Sequence, residues 1–149
     1  MKKLLLGAVA LTMLATACKK SDDGGTSNTW KVGSSSYTAT TVAGNGNGGA
    51  YGVTASSGTD GITFTFNGAA APASGSYKVV KALIPAAGQV SFIANKGTTD
   101  FYTPTGNDNI SATVTNNGGK ITVNMPNAWA KTSSSATDSV QVSANLTQQ

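Results

Sequence analysis

The chain of 149 residues contains no histidine, arginine or glutamate, and Cys18 is its only cysteine. Without histidine or glutamate, acid and base catalysis near neutral pH would depend on Asp, Lys or Tyr side chains, which excludes most familiar active sites. Zinc, copper and haem centres are excluded as well, because they need imidazole or thiolate ligands. The composition therefore predicts a protein that is not an enzyme and has no disulfide within its domain.

Charge is scarce too, since only 11% of the residues are charged. The formal net charge is +4, and removal of Lys2 and Lys3 with the leader described below leaves 8 Lys against 6 Asp, a net charge of +2. The remaining lysines are scattered, whereas nucleic-acid binding needs a clustered basic face. Nucleic acid is therefore excluded as a partner, and the length leaves room for one domain.

Residues 1–17 have the three-part layout of a secretory leader. Two lysines precede an apolar stretch from Leu4 to Leu14, and the small residues Ala15-Thr16-Ala17 follow. A membrane-spanning helix needs roughly 20 apolar residues, so this stretch is too short to remain as an anchor. The pattern predicts a helical signal peptide that is cleaved on export.

The motif Leu14-Ala15-Thr16-Ala17-Cys18 resembles the leader of bacterial lipoproteins. In that family, signal peptidase II cuts before the cysteine, whose sulfur carries a diacylglycerol and whose amino group is acylated, for example with palmitate. The resemblance implies a covalent lipid on Cys18 that anchors the protein to a membrane. The family usually has Leu where this chain has Ala15, and cleavage after Ala17 by an ordinary signal peptidase is the alternative.

Residues 18–29 are polar and lack the apolar side chains needed to fold, so we expect a flexible tether. Its start, Cys18-Lys19-Lys20-Ser21-Asp22-Asp23, is similar to lipoproteins of the Bacteroidota, in which Lys or Ser followed by acidic residues resembles a surface-export signal. The resemblance implies residence in the outer membrane, with the cell surface favoured over the periplasmic face.

From Trp30 onward, apolar residues recur with a period of two, which is the pattern of β-strands. Ile62, Phe64 and Phe66 alternate with threonines, as in an antiparallel sheet with one buried face. The run Asn116-Asn117-Gly118-Gly119 separates two alternating segments and predicts a β-hairpin. Strands are expected at 30–32, 36–42, 50–55, 61–67, 76–81, 89–94, 101–103, 110–115, 121–125 and 140–146. Residues 44–49 are expected to form a flexible hairpin tip.

These segments define an all-β domain over residues 30–149. About 8–10 short strands at this spacing predict a single antiparallel β-sandwich, with a β-barrel as the alternative. The domain also resembles small β-rich lipoprotein domains of Bacteroidota, which open with Trp after the tether and have a Gly-x-Tyr strand start, here Gly75-Ser76-Tyr77. That group implies no activity or site.

Three aromatic residues are candidates for ligand binding. Trp129 lies among Pro, Asn and small residues, Tyr102 follows Phe101 and precedes Pro104 by two positions, and Trp30 opens the domain. Each could stack on a sugar ring or insert into a partner protein. The alternative is that they close the ends of the core.

A calcium site is a further hypothesis, because Asn107, Asp108 and Asn109 offer hard oxygen ligands in one loop. No spaced series of aspartates supports it, and Asx turns explain the same residues. We therefore expect no resident cofactor apart from the lipid on Cys18.

The sequence thus predicts a lipid-anchored outer-membrane protein that binds a glycan or a protein without catalysis. The alternative is an envelope-assembly lipoprotein that packs against an outer-membrane protein through a sheet edge. The sequence does not define the oligomeric state.

The lipid can be tested by intact-mass spectrometry of protein purified from membranes. We expect acyl groups on Cys18, and we expect Cys18→Ala to remove them because the thiol is the acceptor. A mature chain that begins with an unmodified Cys18 would instead indicate ordinary signal peptidase cleavage.

Overall fold

The computed structural model describes residues 28–104, 109–132 and 137–149, and these form eleven β-strands. In chain order the strands are β1 (Thr29–Val32), β2 (Ser35–Thr38), β3 (Thr41–Asn47), β4 (Ala50–Ser57), β5 (Asp60–Asn67), β6 (Gly75–Val79), β7 (Gln89–Lys96), β8 (Thr99–Pro104), β9 (Ser111–Asn117), β10 (Lys120–Lys131) and β11 (Val140–Thr147). The all-β class predicted from the sequence is confirmed. In the three described ranges, no helix is long and apolar enough to cross a membrane.

Five of the strands close into a ring, which is the barrel alternative. β6 pairs with β7, β7 with β8, β8 with β10, β10 with β9, and β9 with β6. Only the β6–β7 pair is parallel. Two arms extend the sheet beyond the ring: β5, β4 and β3 from β7, and β11, β1 and β2 from β10. Closure leaves the central strands without open edges.

The ring and both arms share one hydrophobic core. Ile62, Phe64 and Phe66 of β5 are fully buried, as their alternation predicts. Phe66 meets Tyr77 of β6 edge to face, with ring centroids 5.2 Å apart. The hairpin expected at residues 116–119 is present between β9 and β10, and Gly118 and Gly119 both have positive φ.

The glycine-rich segment 44–49 differs from its prediction. The turn is only Gly48-Gly49, both with positive φ, and the preceding residues belong to β3. A Cβ on Gly44 would overlap the Gln148 side chain, and a Cβ on Gly46 would overlap the Ala69 carbonyl oxygen. Glycine is required in β3 because neighbouring groups approach its backbone closely.

The folded part includes Asn28, two residues before the boundary expected at Trp30. Asn28 is buried, its Oδ1 accepts a hydrogen bond from the Thr147 amide at 2.6 Å, and its carbonyl accepts one from the Ala39 amide at 2.7 Å. These bonds join the first described residue to the end of β11. The boundary predicted between residues 29 and 30 therefore lies too late in the chain, because Asn28 and Thr29 belong to the folded part.

The close approach in β3 gives a stability test with a matched control. Gly46→Ala should lower the free energy of unfolding by about 1–3 kcal/mol, because the new methyl group meets backbone. Gly52→Ala in the neighbouring strand should change it by less than about 0.5 kcal/mol, since the nearest atom to its Cβ is 3.7 Å away. Urea unfolding of both variants measures the difference, and equal losses would contradict the packing explanation.

Candidate functional site

Five large apolar side chains of the described residues are exposed to solvent. Leu83 is 86% exposed, Ile84 52%, Ile93 46%, Trp129 41% and Tyr102 37%. Single exposed apolar residues are ordinary, but a group of them on one surface marks an interaction site. The strand registers below bring Ile93, Tyr102 and Trp129 together, and Leu83 lines a groove with Ile93 and Tyr102. We call these four residues and Ile84, the chain neighbour of Leu83, the distal surface.

Strand pairing brings the sheet residues of this surface together. Tyr102 of β8 lies opposite Ile93 of β7 on one side and opposite Lys131 of β10 on the other. Trp129 precedes Lys131 by two residues and therefore lies on the same face of β10. β8 thus joins the apolar side chains of two strands that are far apart in sequence.

A β-bulge turns Trp129 outward. Ile121, Val123 and Met125 point into the core, and continued alternation would also place Trp129 inside. The pairing with β11 shifts between Met125 and Ala128, so that Ala128 and not residue 127 faces the core. The extra residue at Pro126-Asn127 inverts the alternation and exposes the indole. The strand predicted at 121–125 consequently continues to Lys131.

The connection at residues 80–88 supplies the other two apolar residues. β6 ends at Val79, earlier than the predicted 76–81, and the chain must return to start β7 in parallel with it. The return covers part of the outer face of β7, where Ser91 is only 7% exposed. Asn67 Nδ2 holds the connection by donating to the Pro85 carbonyl at 3.0 Å. Leu83 and Ile84 remain exposed on it.

A groove lies between this connection and the strands. Its volume is about 340 Å³, and it is lined by apolar groups that include Leu83 and Ile93. The polar residues along it are Lys81, Ser91 and Tyr102, so Lys81 is the one charged residue that the described part of the chain contributes to its lining. We call this cavity the distal groove.

The outer face beside Trp129 is polar. Trp129 pairs with Gln141 of β11, and further along that face Lys31 pairs with Ser143. A shallow concavity of about 220 Å³ includes Lys31, Ser143 and Asn145 in its lining. An indole next to amide and hydroxyl groups can combine stacking with hydrogen bonding.

The predicted binding aromatics divide into two groups. Trp129 and Tyr102 are exposed on the distal surface. The prediction for Trp30 is wrong, because Trp30 is 1% exposed and stacks on Tyr37 with ring centroids 5.0 Å apart. Its position at the start of the domain suggested exposure, but two flanking strands place it in the core.

Leu83 and Ile84 were missed by the sequence analysis. Their signal is a pair of adjacent aliphatic residues before Pro85, in a segment that has no alternation and is followed by Ala and Gly. Such a pair cannot place both side chains in the core of a strand.

The remaining predicted sites fall mainly on undescribed residues. Cys18, Asn107 and Asp108 lie outside the described residues, and Asn109 is exposed. Within those ranges, no group of three or more His, Cys, Asp or Glu residues could hold a metal ion. Asp60 has a structural contact, because its Oδ1 accepts a hydrogen bond from the Gly97 amide at 2.6 Å.

The distal surface and Asn28, the first described residue, lie at opposite ends of the strands. Asn28 contacts Thr147 at one end of β11, whereas Val140 at the other end pairs with Ala130, between Trp129 and Lys131. Thr147 and Val140 are seven residues apart, which is about 24 Å at a rise of roughly 3.4 Å per residue. We call the end at Asn28 the tether end.

Comparison with family models, curated proteins and solved structures finds no match for this chain. Its function is therefore inferred from the geometry of the distal surface.

The two tryptophans provide a direct test of this assignment. Trp30→Ala should lower the free energy of unfolding by about 3–5 kcal/mol, because it leaves a core cavity. Trp129→Ala should cost roughly 1 kcal/mol or less, because much of the ring already contacts solvent. Urea unfolding measures both, and acrylamide should quench Trp129 but not Trp30 in the Trp30→Phe and Trp129→Phe variants. A large stability loss for Trp129→Ala would place the indole in the core.

Proposed function

We propose that this protein is a lipid-anchored, non-catalytic binding module of the bacterial outer membrane. Cys18 carries the anchor, residues 18–27 form the tether, and the distal surface contacts a protein or glycan ligand at the cell surface. The observation that carries the proposal is that four exposed apolar side chains, those of Leu83, Ile93, Tyr102 and Trp129, lie together. Exposing them to water is unfavourable, and a bound ligand would relieve that cost.

The types of residue support a binding role. Trp and Tyr are the residues that most often dominate binding energy, because they bury a large area and lose little conformational freedom. Trp129 and Tyr102 are both exposed here, with Ile93 beside Tyr102. Rigid strands hold all three side chains, which lowers the entropy cost of binding.

The position of the surface supports the same role. The tether enters at Asn28, about 24 Å along the strands from Val140 by the rise of β11. An anchor on Cys18 would therefore leave the distal surface free to meet a ligand outside the membrane.

Two ligand classes fit different parts of the surface. Leu83, Ile84 and Ile93 are aliphatic and favour a protein partner. Trp129 beside Gln141 favours a glycan, whose rings stack on indole and whose hydroxyls bond to amides.

The alternative is envelope assembly. β2 is the outermost strand of its arm and pairs only with β1 among the described strands. An outer-membrane protein could add a strand to that edge. The distal surface would then be unnecessary for binding.

Protease treatment of intact cells tests the location, with a periplasmic protein as the leakage control. We expect digestion of the domain on intact cells, since the surface location leaves it accessible. Digestion only after lysis would place the domain in the periplasm and would favour the envelope-assembly alternative.

Crosslinking and polysaccharide pull-down test the binding surface. Trp129→Ala and Ile93→Ser should each weaken capture of the ligand by about tenfold or more. Thr115→Ala changes an exposed residue of β9 and should leave capture unchanged. Capture that is unaffected by both distal variants but lost when β2 is altered would contradict the proposal.

A further inference from the structure

We propose that the distal groove binds a single-chain anionic amphiphile such as a medium-chain fatty acid. The alkyl chain would lie against Leu83 and Ile93, and the carboxylate would lie beside Lys81. This ligand goes beyond the proposed function, which concerns the distal surface as a whole and would stand if the groove held nothing.

The residues that line the groove indicate the chemical class of the ligand. Small-molecule sites are mostly apolar, with a few polar groups that orient the ligand. The groove has this composition, with Leu83 and Ile93 among its apolar residues and the hydroxyl-bearing residues Ser91 and Tyr102 among its polar ones. A ligand with an apolar body and one polar end matches this division between apolar and polar lining residues.

The charge of the groove indicates the sign of the charge on the polar end of the ligand. Lys81 lines the groove, whereas Asp60, Asp100 and Asp138 are absent from its lining. A lysine ammonium on a flexible stem can follow an anion at the rim while its methylenes cover apolar surface. A carboxylate is therefore favoured over an uncharged or cationic group.

The size and position of the groove indicate the source of the ligand. A volume of about 340 Å³ lies near the lower end of the roughly 300–1,000 Å³ range of ligand pockets. One short chain fits this space better than a phospholipid with two chains. The groove also lies at the end of the strands opposite Asn28, so a membrane at the tether end is not its source of lipid.

Calorimetry with three probes of equal chain length tests this ligand. The mature chain with Cys18→Ala is used because it needs no detergent, and the probes are decanoate, decanol and decyltrimethylammonium below their micelle concentrations. We expect decanoate to bind most tightly, because only its head group complements Lys81. Tightest binding by the cationic probe, or no binding of decanoate, would overturn the proposal.

Variants separate the two halves of the site. Lys81→Glu should weaken decanoate binding about fivefold or more and leave decanol unchanged. Ile93→Asp should weaken both by about tenfold or more. Lys120→Glu is the matched control, because Lys120 is exposed on the β9–β10 hairpin and does not line the groove, and it should behave as the parent. Equal effects of the two lysine variants would contradict a carboxylate at Lys81.

Two further measurements distinguish the possible failures. Phosphatidylglycerol vesicles should not bind the Cys18→Ala chain, and vesicle binding without decanoate binding would assign the surface to a bilayer. If decanoate fails to bind while Trp129→Ala still weakens ligand capture on cells, the groove inference is wrong and the binding module stands.

Discussion

The hydrogen bonds of β8 to β7 on one side and to β10 on the other hold the barrel closed and build the distal surface. Without β8, the second half of β7 and the end of β10 would have open edges, which sheets avoid. Closure also decides which side chains are neighbours, since Ile93 and Lys131 meet Tyr102 from opposite sides. The fold and the candidate site therefore depend on the same pairings, and a change that separates β8 from either neighbour affects both.

Local pattern was sufficient to predict much of the fold. The alternation of β5 and the Asn-Gly hairpin between β9 and β10 are determined by nearby residues, and both were predicted within about two residues. The structure of segment 44–49 was mispredicted because the sequence alone does not distinguish a run of glycines in a loop from one in a closely packed strand. The difference lies in Gln148 and Ala69, which are distant in sequence and approach the chain only after folding.

The site was less predictable than the fold, because its residues meet through long-range register. Trp129 and Tyr102 could be named from their neighbours, but their sharing of a surface depends on a bulge in β10 and on the placement of β8. Trp30 gave the same local signal and is buried, since it lies in β1 between β2 and β11. Leu83 and Ile84 depend on the short return from β6 to β7. The aliphatic pair before Pro85 is a local signal, but no local pattern reveals where the return places that pair.

The position of β1 has a mechanical consequence. Asn28 directly precedes β1, which is paired along its length with β11 on one side and β2 on the other. A pull on Asn28 directed along the strand, as when a ligand held at the opposite end drags against an anchored tether, is perpendicular to these hydrogen bonds. The bonds of both pairings then bear the load together as a shear, instead of opening one after another as in peeling. The first described strand is thus placed to resist extraction from the sheet.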